Sequence, residues 1–320
     1  MLSRREVLVK TISAATIVGK KLIPAVAFQG KTVINFEMPV GACDCHVHIF
    51  GDPVKFPFAP GRTYTPKTAL PEELGVLHKA LHLQRVVIVS PSVYGADNSV
   101  TLYGMRARGA NARGVAVIGE KTTETELAAL ERAGVRGIRL NFAINGISDP
   151  AVIRQRLQAA AERVKKFNLH IQILTNLPNI AAIKDAIATS PVPIVIDHFG
   201  GARAELGPSQ PGFAEMVSLV ESGKAYVKIS GAYRASTLSP DYADVAPLAK
   251  MLIAANPNRI VWGSDWPHTN SAPPGGKPTD VTPFLPIDDG RLLNQLLVWA
   301  PDPAIRKKIL VDNPVHLYGF

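Results

Sequence analysis

The chain has 320 residues, of which 47% are hydrophobic and 19% charged, and its formal net charge is +9. This composition is typical of a globular protein with a sizeable core and excludes a disordered chain. No block of lysine and arginine is interleaved with aromatic residues, so we expect no nucleic-acid partner. The mild positive charge favours an anionic small-molecule substrate.

Residues 1–27 are predicted to be a signal segment of the twin-arginine type. Ser3-Arg4-Arg5 resembles the export motif, a short apolar run covers residues 11–18, and Ala25-Val26-Ala27 offers a cleavage site. The run is too short to span a membrane, so we expect no stable membrane anchor. These features predict a periplasmic protein. The alternative is a cytoplasmic protein whose first residues are disordered or form a surface helix.

The only two cysteines, Cys43 and Cys45, lie two residues apart in the first predicted strand. Neighbours on one face of a strand are about 6.5–7 Å apart and nearly parallel, which is too far for easy bridging. We therefore expect no disulfide.

From Gly41 onward, eight β-like apolar runs alternate with amphipathic helical patterns. The predicted strands are Ala42–Ile49, Arg85–Ser90, Arg113–Ile118, Val135–Asn141, His170–Leu174, Val192–Asp197, Ala225–Ser230 and Ile260–Ser264. The predicted helices are Pro71–Leu83, Ser99–Gly109, Glu124–Ala133, Pro150–Asn168, Asn179–Ala188, Phe213–Ser222 and Pro240–Ala255, followed by Gly290–Trp299 and Asp302–Leu310. This alternation predicts a single (β/α)8 TIM barrel over residues 41–320. A doubly wound open sheet is the alternative, but no Gly-x-Gly-x-x-Gly follows the first strand.

Two long segments follow predicted strands and are candidate lids. Phe50–Pro71 comes after strand 1, and Trp266–Ile287, rich in proline and glycine, comes after strand 8. In a parallel barrel both would lie at the carboxyl ends of the strands, where substrates bind.

The polar residues at predicted strand ends indicate an active site. His46 and His48, spaced i and i+2, point to one face of strand 1. Asp265 ends strand 8, which lies beside strand 1 in a closed barrel, and His198 follows strand 6. We therefore predict that these four side chains converge.

Further polar residues near strand ends are candidates for binding the substrate. Arg139 on strand 4 and Arg234 after strand 7 are predicted to bind anionic groups of the substrate, with surface salt bridges as the alternative. The other predicted substrate-binding residues are Ser90, Tyr233 and His268. Asp44 is interpreted as a structural residue.

Six motifs in this order resemble those of the amidohydrolase superfamily. They are Cys-Asp-x-His-x-His on strand 1, Arg-Gly-Ile-Arg-Leu-Asn on strand 4, Ile-Asp-His-Phe-Gly on strand 6, Lys-Ile-Ser-Gly-Ala-Tyr-Arg on strand 7, Trp-Gly-Ser-Asp-Trp-Pro-His on strand 8 and Asp-Asn-Pro-x-x-Leu-Tyr-Gly-Phe at the end. The pattern is most similar to the lactonase branch, which includes 2-pyrone-4,6-dicarboxylate lactonase, galactarolactone isomerase and sulfomuconolactone hydrolase.

The resemblance implies a distorted TIM barrel that hydrolyses a lactone. Asp265 would activate water as general base, and His46, His48 and His198 would polarise the scissile carbonyl or hold a metal together with Asp265. Arg139 and Arg234 would bind substrate carboxylates.

The chain departs from metal-dependent members of the superfamily at strand 5. Those members usually have a histidine at its end, where this chain has Gln172 or Leu174. We therefore favour a site without a cofactor, with one divalent zinc ion as the alternative. A second departure concerns the arginine that pyrone lactonase has shortly after its strand 6 histidine. Here Arg203 comes later, which argues against a pyrone dicarboxylate as substrate.

Three other functions remain open at this point. The same groups could isomerise a sugar-acid lactone, or could serve a zinc-dependent amidohydrolase or decarboxylase. The non-enzyme alternative is an exported barrel that binds organic acids without turnover.

Overall fold

The computed structural model describes residues 31–272 and 275–320. The predicted twin-arginine motif and its cleavage site lie outside these residues, so the export signal stays a prediction. Among the described residues, no helix combines the length and the apolar character that a membrane crossing needs.

Eight parallel strands form the central sheet, and they pair in chain order. They are β1 (Cys43–Val47), β2 (Arg85–Val89), β3 (Ala112–Ala116), β4 (Val135–Asn141), β5 (His170–Leu174), β6 (Ile194–Ile196), β7 (Ala225–Ser230) and β8 (Ile260–Gly263). The sheet closes between its first and last strands. Val47 bridges Trp266 in parallel, the His48 amide donates to the Trp266 carbonyl at 2.8 Å, and the Asp265 amide donates to the His46 carbonyl at 2.9 Å. The predicted (β/α)8 barrel is therefore confirmed.

The strands are apolar runs because both of their faces are covered. Val86 to Val89 of β2, for example, are all fully buried, as expected for a parallel sheet under a layer of helices. The barrel is irregular, since β6 has only three residues and the register of β1 shifts between Asp44 and Val47. Cys43 and Cys45 are free and buried, and they pack with valines of neighbouring strands and with Tyr318.

The helices cover the outside of the barrel. They are α1 (Pro71–Ala80), α2 (Ser99–Arg108), α3 (Glu124–Arg132), α4 (Pro150–Val164), α5 (Leu177–Ala182), α6 (Lys184–Ala188), α7 (Phe213–Glu221), α8 (Ala232–Ala235), α9 (Ala246–Ala255), α10 (Asp289–Asn294), α11 (Leu296–Trp299), α12 (Pro303–Lys307) and α13 (Asn313–Tyr318), with a π-helical turn at Lys308–Asp312.

Several predicted helices differ from the observed ones. The helix predicted for Asn179–Ala188 is broken at Ile183, whose ψ of 15° is not helical. The helix predicted to begin at Pro240 begins only at Ala246, because Tyr242 adopts a left-handed conformation with φ 50°. The helix predicted for Gly290–Trp299 is two short helices, and the short α8 was not predicted. None of these differences changes the order of the barrel strands.

The two candidate lids are joined to each other. Thr65–Pro66 of the first lid pairs in parallel with Val281–Thr282 of the second. The Thr282 hydroxyl donates to the Thr65 carbonyl at 3.2 Å, and the Thr65 hydroxyl donates to the Pro278 carbonyl at 2.7 Å. The lids therefore form one connected structure beside the carboxyl ends of the strands.

Candidate active site

Three histidines surround one oxygen of Asp265 at the carboxyl ends of the strands. Oδ1 of Asp265 lies 3.8 Å from Nε2 of His46, 3.9 Å from Nε2 of His48 and 3.9 Å from Nε2 of His198. All four side chains are buried. The structure thus brings together the four residues for which the sequence predicted convergence.

The three histidines are not bonded directly to Asp265, and a gap separates their Nε2 atoms from its Oδ1. The three distances exceed the usual length of a hydrogen bond. Within residues 31–272 and 275–320, Nε2 of His46 and Oδ1 of Asp265 have no hydrogen-bond partner. Buried polar atoms without partners carry a desolvation cost. They are therefore available to a water molecule, a substrate oxygen or a cation.

The backbone at two of these residues adopts an uncommon conformation. His198 has φ 47° and Asp265 has φ 67°, in the left-handed region. Such conformations cost of order 1–3 kcal/mol in residues other than glycine and cluster at functional sites. Gly231 lies against the same pair, since a Cβ there would be 3.2 Å from Nδ1 of His198 and 3.3 Å from Oδ2 of Asp265. A larger residue at position 231 would crowd both side chains.

The outer ring nitrogens of the histidines have distinct partners. Nδ1 of His48 lies 2.8 Å from the Val89 carbonyl, which can only accept, so this nitrogen carries the proton and Nε2 has the lone pair. Nδ1 of His198 lies 2.9 Å from the Ser230 hydroxyl. Nδ1 of His46 faces the deeper part of the barrel.

The three rings are neutral at pH 7. Burial, followed by the nearby Arg139, lowers the pKa of His48 to about 3. Burial, followed by Lys228, holds the pKa of His46 well below its usual value, and burial also lowers the pKa of His198. Each ring therefore carries one proton.

Asp265 is held in its ionised form. Its second oxygen, Oδ2, accepts a bond of 2.5 Å from Nε of Arg234 and one of 2.7 Å from the hydroxyl of Tyr233. Burial alone would raise the pKa of Asp265, but the guanidinium of Arg234 holds it well below the usual value. The carboxylate is therefore a base with one free oxygen, Oδ1, directed at the histidines.

A second polar layer lies beneath the histidines. Oδ2 of Asp197 accepts from Nε and Nη2 of Arg139 at 3.3 and 3.2 Å and from Nε2 of Gln172 at 2.9 Å. Nζ of Lys228 donates to Oε1 of Gln172 at 2.6 Å and to the Cys45 carbonyl at 2.9 Å. Lys228 and Asp197 are fully buried. The sequence patterns did not assign Asp197 or Lys228 to the site.

A cavity of about 300 Å³ opens above Asp265. Five of the predicted site residues line it, namely His48, His198, Asp265, Arg139 and Arg234. Its other lining residues are Thr63, Tyr64, Ser92, Ile144, Leu174, Thr269, Asn270 and Ser271. Much of its rim is therefore formed by hydroxyl and amide side chains of the two lids, which the sequence did not single out.

Four predicted site residues do not line this cavity. His46 lies beneath it, and Tyr233 reaches the site only through its bond to Asp265.

Ser90 is fully buried. Its amide still donates to the Val115 carbonyl at 2.8 Å, so the chain at Ser90 is still paired with the sheet. Ser92, two residues later, lines the cavity instead. His268 is also fully buried and bonds to Asp289 at 3.0 Å. Ser90 and His268 therefore lie outside the cavity lining, and their contact with a substrate stays a prediction.

The four central residues could also hold a metal ion. The ligand atoms of His46, His48 and Asp265 lie within 4.8 Å of one another, and so do those of His46, Asp197 and His198. Imidazole nitrogens and a carboxylate oxygen are ligands that zinc accepts, and the unpartnered Nε2 of His46 and Oδ1 of Asp265 supply free donors. The donor set therefore fits one divalent cation, and the favoured absence of a cofactor stays a prediction.

Comparison with known proteins finds relatives over most of the chain that are named as hydrolases. The chain is 37% identical over 292 residues to a 4-sulfomuconolactone hydrolase of Rhizobium radiobacter, which covers 89% of this chain and 92% of that protein. It is 33% identical over 293 residues to a 2-pyrone-4,6-dicarboxylate hydrolase of Comamonas testosteroni, with coverage of 89% and 92%. An apo crystal structure from Agrobacterium tumefaciens superimposes with a TM-score of 0.75 at 29% identity, covering 90% of this chain and 99% of that one.

A family model described as amidohydrolase matches residues 43–320. This match covers the whole barrel and all four central residues. Together with the relatives, it confirms the predicted superfamily, its lactonase branch and the class of hydrolase. The chain belongs to the amidohydrolase family.

Proposed function

We propose that this protein hydrolyses a lactone of an anionic small molecule in the cavity above Asp265. The observation that carries the proposal is that the two oxygens of the Asp265 carboxylate have different partners. Oδ2 is bound by Arg234 and Tyr233, whereas Oδ1 is free and faces three neutral imidazoles. This is the arrangement that a buried general base needs. The lactone-hydrolysing relatives of similar length support the same reaction class.

The proposed reaction begins with a water molecule at Oδ1 of Asp265. The carboxylate takes a proton from this water while the hydroxide attacks the lactone carbonyl, which opens the ring through a tetrahedral intermediate. Asp265 then returns the proton to the leaving enol or alcohol oxygen. The products are a hydroxyl group and a carboxylic acid on one acyclic molecule, and the acid then releases its proton to the solvent.

The histidines differ in what they can contribute. Because Nδ1 of His48 carries its proton, Nε2 can accept a hydrogen bond from the attacking water but cannot donate to an oxyanion. We therefore assign His48 to orienting the water, in contrast to the expectation that all three rings polarise the carbonyl. His46 and His198 remain candidates for donating to the developing oxyanion. Loss of one such donor typically costs about 10²–10³ in turnover.

The two arginines have unequal access to a substrate anion. The Arg139 side chain is only 3% exposed and directs two donors at Asp197, whereas the Arg234 side chain is 37% exposed. Arg234 commits only Nε to Asp265, so its terminal nitrogens are available on the cavity side. We assign it as the main contact for a substrate carboxylate or sulfonate.

If a divalent metal is bound by His46, His48, His198 and Asp265, it would polarise the scissile carbonyl as a Lewis acid. Treatment with a chelator followed by assay tests this alternative. We expect activity to persist. Complete loss with rescue by zinc would overturn the metal-free assignment and favour a zinc-dependent amidohydrolase or decarboxylase.

The main test is a panel of lactones bearing carboxylate, sulfonate or hydroxyl groups, with products identified by mass spectrometry. We expect ring opening with the gain of one water, and we expect Asp265→Asn to lower kcat by about 10²–10⁴-fold. Asp185→Asn is the matched control, because Asp185 is an exposed partner of Arg154 far from the cavity. An undiminished rate in Asp265→Asn would exclude Asp265 as the base.

The same panel separates the other candidates. A product of unchanged mass would indicate a lactone isomerase. A thermal shift with dicarboxylates, without any product, would indicate a barrel that only binds organic acids.

A periplasmic location is part of the proposal and rests on Arg4 and Arg5. Fractionation of cells that express the full chain, or the variant with both arginines changed to lysine, tests it. Export of the first and retention of the second are expected. A cytoplasmic location of both would favour the alternative.

A further inference from the structure

Nδ1 of His46 lies at the same distance from two partners of opposite kind. It is 3.4 Å from Nζ of Lys228, which can only donate, and 3.4 Å from Oδ1 of Asp197, which as a carboxylate accepts. A neutral imidazole carries one proton, on either Nδ1 or Nε2. The two neighbours therefore favour different tautomers of the same ring.

The tautomer decides what His46 presents to the active site. When Lys228 donates to Nδ1, the proton is on Nε2, and His46 can donate to a substrate oxygen. When Nδ1 donates to Asp197, Nε2 has a free lone pair and can ligate a metal. Nε2 points at Oδ1 of Asp265 from 3.8 Å and has no other partner among the described residues.

The contacts of Lys228 favour the first tautomer. Its side chain is fully buried; burial lowers its pKa, the charge of Asp197 opposes that shift, and as an ammonium group it has three protons. Two are bound by the Gln172 side chain at 2.6 Å and the Cys45 carbonyl at 2.9 Å. For the third, Nδ1 of His46 at 3.4 Å is nearer than Oδ1 of Asp197 at 3.7 Å. A buried ammonium proton without an acceptor is costly, so the bond to His46 is the favoured arrangement.

Asp197 offers the competing contact for Nδ1 of His46, although its carboxylate is already held at the other oxygen. Its Oδ2 already accepts three bonds from Arg139 and Gln172, and its Oδ1 makes no hydrogen bond of acceptable geometry with the described residues. The positive charge of the Lys228 ammonium behind the ring also opposes a divalent cation in front of it, and the carboxylates of Asp197 and Asp265 offset part of this repulsion.

We propose that Lys228 is a positioning residue that holds His46 in the form protonated at Nε2, so that His46 donates to a substrate oxygen and does not ligate a metal. Lys228 itself touches no reacting atom. The identity of the oxygen rests on the proposed lactonase function, whereas the tautomer and the weak affinity for metal do not.

The first test observes the tautomer directly in the wild-type chain. The protein is labelled with ¹⁵N at its eight histidines, and a spectrum that correlates ring nitrogens with ring protons distinguishes the two forms. His46→Asn identifies the signals of His46. We expect Nε2 to be protonated and Nδ1 to be unprotonated. A protonated Nδ1 would overturn the proposal, whatever the enzyme turns out to hydrolyse.

The second test measures zinc binding by equilibrium dialysis and metal analysis. Lys228→Met removes the donor with a chain of similar length, so Nδ1 of His46 is free to donate to Asp197. We expect the tautomer to change and the affinity for zinc to rise at least about tenfold, a difference of 1.4 kcal/mol. Lys224→Met is the matched control, since Lys224 is exposed near the opposite end of β7.

Each outcome of the zinc experiment bears on the proposal. Tight stoichiometric zinc in the wild-type chain, or a folded Lys228→Met variant with unchanged tautomer and zinc affinity, would overturn it. If Lys228→Met does not fold, the spectrum of the wild-type chain still decides the question.

Discussion

Nε of Arg234 lies 2.5 Å from Oδ2 of Asp265, and this bond joins a fully buried carboxylate to a guanidinium at the cavity wall. The bond is made with the oxygen that does not face the histidines. Arg234 can therefore stabilise the charge of the proposed base without blocking its reactive oxygen. The pair also places a cation beside the substrate.

Replacing Arg234 should shift the pH dependence of the reaction. Burial raises the pKa of Asp265, and Arg234 is the first of the groups that hold it well below its usual value. A base is active above its pKa, so the acid limb of kcat lies at low pH in the wild-type enzyme. Arg234→Gln should move that limb upward by about 1–3 pH units. A pH–rate profile measures the shift.

Tyr233→Phe is the control for this experiment. It removes one hydrogen bond to the same oxygen but leaves the charge of Arg234 in place. We expect a smaller upward shift. An acid limb that stays unmoved in Arg234→Gln would mean that Asp265 is not the group whose ionisation limits the rate.

Asp44 should matter for stability, because it joins the two strands that close the barrel. It is fully buried, and its Oδ1 accepts from the Ser264 amide at 2.9 Å and the His46 amide at 3.2 Å, while Oδ2 lies 3.3 Å from Nε2 of His78. Asp44→Asn should lower the free energy of unfolding by about 1–3 kcal/mol. Denaturant titration measures it.

Asp185→Asn again provides the comparison. Its ion pair with Arg154 is largely exposed, and such pairs contribute about 0–1 kcal/mol. Equal losses in the two variants would contradict the structural role of Asp44.

The order of the strands and the convergence of the central residues could be predicted from the sequence. The strands are apolar runs between amphipathic helices, and a closed barrel places its first strand beside its last. Once that closure is assumed, His46 and His48 must lie near Asp265. Because His46 and His48 are two residues apart on a strand, their side chains are expected on the same face, and no tertiary information is needed for this expectation.

The second polar layer and the joined lids could not be predicted in this way. Lys228 and Gln172 meet only because the registers of separate strands bring them together, and no local pattern determines those registers. Thr65 and Thr282 pair across 217 positions of the chain. The placement of Ser92 rather than Ser90 at the cavity depends on where β2 leaves the sheet, and such boundaries are uncertain by a few residues.

Gly263 should tolerate no side chain, because it lies against the main chain of His46. A Cβ at this position would be 2.7 Å from Cβ of His46 and 2.8 Å from its amide nitrogen. Gly263→Ala should displace β1 at the active site and lower kcat by about tenfold or more, since small misplacements of catalytic groups are costly. Steady-state kinetics at saturating substrate measure this.

Gly75→Ala is the control for the glycine experiment. Gly75 lies inside α1, where an added Cβ meets only the end of Arg108 at 3.4 Å. Alanine in a helix interior should raise stability by about 0.5–1 kcal/mol, with unchanged kinetics. Normal activity in Gly263→Ala would show that the strand can shift without cost to the site.

Thr282→Val should loosen the connection between the lids and weaken substrate binding. The Thr282 hydroxyl is buried and donates to the Thr65 carbonyl. Residues 63 and 64, which directly precede Thr65 in the chain, line the cavity. Loss of one neutral hydrogen bond is worth about 0.5–1.5 kcal/mol, so KM should rise roughly twofold to tenfold while kcat changes less. Thr101→Val is the matched control, because the Thr101 hydroxyl is buried without a partner among the described residues and its removal should be neutral or stabilising. A fall in kcat at constant KM would instead mean that the lids act on the chemical step rather than on binding.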